Sequence, residues 1–121
     1  MTHAAIETMD QGEAIDRRHL QRATFGDRSL EHEVLQLFDR QAELLIGRMR
    51  DGDGGGARIG ALAHTLKGSA AGIGAGAVAR AAEATEQAAT GSAAEVGVAI
   101  DRLAEAVEDA RALIAVLLRE V

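Results

Sequence analysis

The sequence predicts an all-α protein, an antiparallel four-helix bundle with a short extra N-terminal helix. Proline is absent and aromatic residues make up 2% of the 121 residues, while alanine, the best helix former, occurs 26 times. Apolar residues recur at helical spacing through most of the chain. Glycine-rich breaks divide it into segments joined by short connections, which favour antiparallel neighbours.

Residues 1–13 show no periodicity and read as a flexible tail, leaving 14–121 as one domain. Ala14 to Thr24 forms a short helix with Ile15 and Leu20 inward, broken at Phe25-Gly26-Asp27. From Ser29, read as an N-cap, to Arg50 runs a long amphipathic helix, because Leu35, Phe38, Ala42, Leu45 and Met49 stack on one side. Asp51-Gly52-Asp53-Gly54-Gly55-Gly56 is a loop. Its alternating aspartates suggest calcium, but position five would be Gly55, and the bidentate glutamate of position twelve would be Leu62. It reads as a linker. The next helix spans Ala57 to Ala71, with Ile59, Leu62, Leu66 and Ala70 inward, and ends in the glycine string 72–76. That string follows a helix and lacks the last glycine of a dinucleotide fingerprint, so a turn suffices. A helix from Gly76 to Thr90 carries a stripe of Ala81, Ala82, Thr85, Ala88 and Ala89. Ser92 and Glu95 form a capping box that opens the last helix. There Val96, Ile100, Leu103, Val107, Ala110, Ile114 and Leu117 keep a heptad seam.

Composition narrows the function. Thirteen basic residues against nineteen acidic give a net charge of −6, without the basic cluster that a nucleic-acid partner requires. Cysteine is absent, which excludes disulfides and thiolate metal sites. The N-terminus lacks a signal-peptide pattern, and the apolar run 112–118 is far shorter than the roughly 20 residues of a membrane span. A soluble, cytoplasmic domain with no membrane partner is expected.

Four histidines are present, none three or four residues from another, so no helical metal pair exists. His3 lies in the tail, and His19 and His32 sit among charged residues as surface positions do. His64 differs through its neighbours. At 100° per residue it shares a face with Ala57, Gly60, Ala61, Lys67, Gly68 and Ala71, a surface stripped of bulk. A glycine inside a helix costs about 0.5–1 kcal/mol relative to alanine, so Gly68 calls for an offsetting use. Lys67 is the single lysine among twelve arginines. A compact ammonium follows a phosphoryl group as a point charge where a guanidinium is a planar fork. A neutral imidazole is nucleophilic near pH 7 and can carry a phosphoryl group covalently. No general base or triad partner is in register with His64, which disfavours hydrolysis. An unused surface histidine is the bland alternative; the cleared face, Gly68 and Lys67 weigh against it.

The segment Leu62-Ala63-His64-Thr65-Leu66-Lys67-Gly68-Ser69-Ala70-Ala71-Gly72-Ile73-Gly74 resembles the signature of histidine phosphotransfer (HPt) domains. A weaker likeness extends from about Asp16 to Leu118. The resemblance implies a four-helix bundle relaying phosphoryl groups between receiver-domain aspartates, with His64 phosphorylated on Nε2, Lys67 assisting electrostatically and Gly68 admitting the receiver. Gly60, Ala61, Lys67, Gly68 and Ala71 form the expected docking face. The implied partners are response-regulator receiver domains and a hybrid histidine kinase. This chain would be a phosphocarrier without autokinase activity and without a cofactor of its own; Mg2+ would sit in the receiver. Thr65 and Ser69 match family positions near the site and can equally pack or cap.

Three other readings compete. A sensor-kinase dimerisation segment usually follows its histidine with an acidic residue and then a proline; here Thr65 follows and proline is absent. A receiver-docking module without phosphotransfer has no need of His64 and Lys67. A helical adaptor would use the heptad seam of the last helix to oligomerise, and would show a concentration-dependent mass.

Overall fold

The computed structural model describes residues 13–52 and 54–120. Most of the expected tail, including His3, and Asp53 of the glycine-rich loop lie outside them. The described residues form α1 (Arg17–Ala23), α2 (Arg28–Asp51), α3 (Gly55–Ile73), α4 (Gly76–Ala88) and α5 (Ala93–Arg119). Helices α2 to α5 make the bundle, with α3 packed against α2 and α4, and α5 against α2 and α4. Helix α1 lies on the α3 side.

Several boundaries move for local chemical reasons. Asp27, not Ser29, caps α2, its carboxylate accepting from the Leu30 amide at 3.1 Å. Asp16 does the same for α1 through His19 N–H, so that helix begins at Arg17 and not at Ala14. Ile15 precedes the helix yet is fully buried. Ser92 caps α5 as expected and bonds Glu95 through both backbone and side chain. Helix α3 is longer than expected at both ends, running from Gly55 to Ile73, and α4 stops at Ala88, short of Thr90. Gly74 closes α3 in the left-handed region at φ 81°, a conformation that glycine adopts without steric cost.

The seam of α5 is buried from Ile100 to Leu117, and only Val96, at its first turn, stays partly exposed. Leu35, Phe38, Ala42, Leu45 and Met49 of α2 face it, joined by Ile46. In α3 the buried residues are Ile59, Ala63, Leu66, Ala70 and Ile73. Ala63 therefore replaces Leu62, which sits partly exposed at the margin; steps of 4, 3, 4 and 3 along this set define a seam that excludes position 62. Val78, Ala82 and Thr85 are the buried residues of α4. Ala81 and Ala88 of the expected stripe are instead only half buried. Small residues bring α3 and α4 close. A Cβ at Gly56 would collide with the carbonyl oxygen of Ala89, so only glycine fits there.

Candidate functional site

The site is built on the middle of α3 and one residue of α4. With the α3 core seam turned inward, His64 points outward, its side chain 68% exposed. Around it Ala61, Thr65, Gly68, Ala71 and Gly72 are exposed as well. A Cβ on Gly68 would meet nothing within 4 Å, so its absence opens surface and does not serve packing. Gly60 departs from expectation. It is half buried, and a Cβ there would lie 3.5 Å from that of Ala89. At 320° on a wheel with His64 at zero, its face turns toward α4 and not to the open surface.

Glu86 of α4 completes the arrangement, and it overturns the expectation that no acid or base stands beside His64. Its Oε2 lies 3.0 Å from His64 Nδ1, and its Oε1 lies 2.9 Å from Lys67 Nζ. The lysine contact is an ion pair to a buried oxygen that has no other partner among the described residues. The Lys67 ammonium, with a smaller effect from the His64 hydrogen bond, holds the Glu86 carboxyl below its ordinary value, against the opposing effect of burial. Glu86 and, more distantly, Glu83 raise the Lys67 ammonium above its ordinary value.

Donor and acceptor chemistry then fixes the imidazole. An ionised carboxylate only accepts, so Nδ1 must carry the proton and donate it to Glu86. In the neutral ring Nε2 then keeps its lone pair, and no hydrogen-bond partner occupies it among the described residues, on a side chain that is largely exposed. Lys67 thus touches Glu86 and not open solvent alone, its side chain 31% exposed. No helical spacing within α3 could have revealed Glu86. It lies 22 residues from His64, and only the pairing of α3 with α4 brings the two together.

The flanks of α3 are anchored on both sides. Ser69 Oγ donates to Gln41 Oε1 of α2 at 2.9 Å, and Thr65 Oγ1 donates to its own helix at Ala61 O. Beyond Gly72, His19 Nε2 lies 3.2 Å from the Gly72 carbonyl oxygen, which accepts its proton. Leu37 and Leu44 of α2, one turn either side of Gln41, are more than half exposed. Among the described residues no group of three His, Asp or Glu side chains could hold a metal ion.

The Hpt domain family model matches residues 28–113. The chain belongs to the Hpt domain family. Comparison with curated proteins and with solved structures returned no match. The matched span contains His64, Lys67, Gly68 and Glu86 and runs from the start of α2 to near the end of α5. Members of this family act in phosphotransfer of two-component signalling as phosphocarriers, interacting with receiver domains and kinases. No helix among the described residues is long and apolar enough to cross a membrane.

Proposed function

We propose that this Hpt protein relays a phosphoryl group between receiver-domain aspartates through phospho-His64. The observation that supports it most directly is the exposed imidazole held by Glu86 with Nε2 free. An acyl phosphate on a receiver aspartate presents its phosphorus to Nε2, the N–P bond forms, and the aspartate leaves as a carboxylate. Attack by a second receiver's aspartate reverses the sequence. The receiver supplies the magnesium that neutralises the phosphoryl oxygens. Lys67, within reach of both Glu86 and the α3 surface, adds positive charge near the transferring group.

Docking falls on the open face around Ala61, Lys67, Gly68 and Ala71, with Gly60 contributing at the α4 margin. Leu37 and Leu44 extend this face onto α2. A small interface near the low end of about 1,200 Å² suits a partner that must leave after each transfer. A monomer in the cytoplasm, passing phosphate from a hybrid histidine kinase to a response regulator, is the setting this chemistry fits.

The test is intact mass after treatment with phosphoramidate, comparing the wild type with His64→Gln, followed by addition of receiver domains and magnesium. One acid-labile phosphoryl group that requires His64 and departs to a receiver is the expected result. Retained labelling and transfer in His64→Gln would sink the assignment. Docking of a receiver without any His64-dependent label would point to a binding module.

A further inference from the structure

We infer that Glu86 is a positioning residue for the release half of the reaction: it keeps the Nδ1 proton on the imidazole after Nε2 has been phosphorylated, so that the phosphoryl group departs from a ring that leaves as neutral imidazole. This rests on the phosphotransfer reading above and extends it to the state that reading leaves open.

The chemistry balances at each step. Nε2 uses its lone pair to form the N–P bond, and the ring, still carrying Nδ1–H, becomes an imidazolium. An unassisted phosphorylated ring sheds that proton near neutral pH, since imidazole titrates in this range. It is then a poor leaving group, because N–P cleavage would expel an imidazolate. When Nδ1–H is retained, attack by an aspartate oxygen on phosphorus breaks the N–P bond, the electron pair returns to Nε2, and neutral imidazole remains. No proton enters or leaves in either direction.

Glu86 is built to retain that proton without taking it. Its Oε2 accepts from Nδ1 at 3.0 Å, and the positive charge gained by the ring on phosphorylation strengthens this bond. Lys67 Nζ, 2.9 Å from Oε1, favours the ionised carboxylate, so Glu86 accepts and does not become protonated itself. The charged groups that face the pair are Lys67 from α3, and Glu86 and Glu83 from α4. On the α2 side, among the described residues, the contact recorded at this part of α3 is the neutral Gln41 on Ser69. The charged group in direct contact with Nδ1 is Glu86 Oε2, with Lys67 stationed on the far oxygen of that carboxylate.

The experiment follows loss of the phosphoryl group from the full chain, labelled with phosphoramidate, between pH 5 and pH 9. Glu86→Gln is the informative variant, because the amide oxygen can still accept Nδ1–H while the charge is gone. Wild-type hydrolysis should persist to higher pH, so that at pH 8 the variant loses its phosphoryl group about 10-fold more slowly, one pH unit of displacement, whereas near pH 5 the two rates converge. Superimposable profiles overturn the inference and leave the phosphotransfer reading standing. Absence of a His64 label in the wild type, from phosphoramidate or from phosphorylated receivers, overturns both. Independently of any variant, ¹⁵N spectra of the phosphorylated wild type at pH 7 should show Nδ1 mostly protonated, and a mostly unprotonated Nδ1 at that pH overturns the inference.

Discussion

At the scale of single residues, two side-chain decisions around His64 are separable. Gly68 lacks a side chain where space is open, so packing within the described residues does not require it. Gly68→Gln should stabilise the helix by about 0.5–1 kcal/mol, measurable by urea unfolding, while leaving phosphoramidate labelling intact and slowing transfer to a receiver at least 10-fold. Glu86 carries a stability signature of its own. Its carboxyl is lowered in the folded state, so the stabilisation it contributes is present above its ordinary value of 4.5 and is lost as pH falls through the lowered folded value. The difference in urea midpoint between wild type and Glu86→Gln should therefore be visible at pH 7 and shrink at pH 3. His64, Lys67 and Gly68 were legible in the sequence because all three share one helix face and one is the only lysine. Glu86 was not, because nothing in a 3.6-residue period links positions 22 apart. Gly60 was misplaced for the related reason that a wheel gives an angle but not which neighbour covers it.

At the scale of elements, the strongest periodic signal proved the most faithful. The α5 seam is buried at every expected position after its first turn, because a 27-residue helix samples the heptad often enough to define one direction. Helix α3 was less legible: alanine and leucine compete for the interior, and shape, not hydrophobicity, places Ala63 against the core and Leu62 at the edge. Caps were less legible than periodicity where candidates lay close together, and Asp27 outcompeted Ser29 since its carboxylate reaches Leu30 N–H one turn on. The α3–α4 contact is the element pair on which the site depends. Gly56→Ala should strain it, because the added methyl meets the Ala89 carbonyl. A loss of about 1–3 kcal/mol is expected from such overpacking. Thermal unfolding checks this, and a variant as stable as the wild type would show that the helices separate freely there.

At the scale of the whole molecule, the bundle is closed by contacts far apart in the chain. Arg17 pairs with Glu120 at 2.8 Å, and Arg111 of α5 reaches Asp39 and Glu43 of α2. Such exposed or half-exposed pairs contribute modestly, and the apolar interior carries the stability. Leu20 of α1 is fully buried, so Leu20→Ala should cost about 2–5 kcal/mol, read as a lowered urea midpoint. His64, Lys67 and Glu86, by contrast, all belong to one helical hairpin whose arms are separated by the two residues Gly74 and Ala75. The proposed reactive centre is in that sense portable. It is encoded by a short uninterrupted stretch of chain, so drift in α2 can reshape the flank of the proposed docking face, and with it the choice of company, while His64 and Glu86 stay in register.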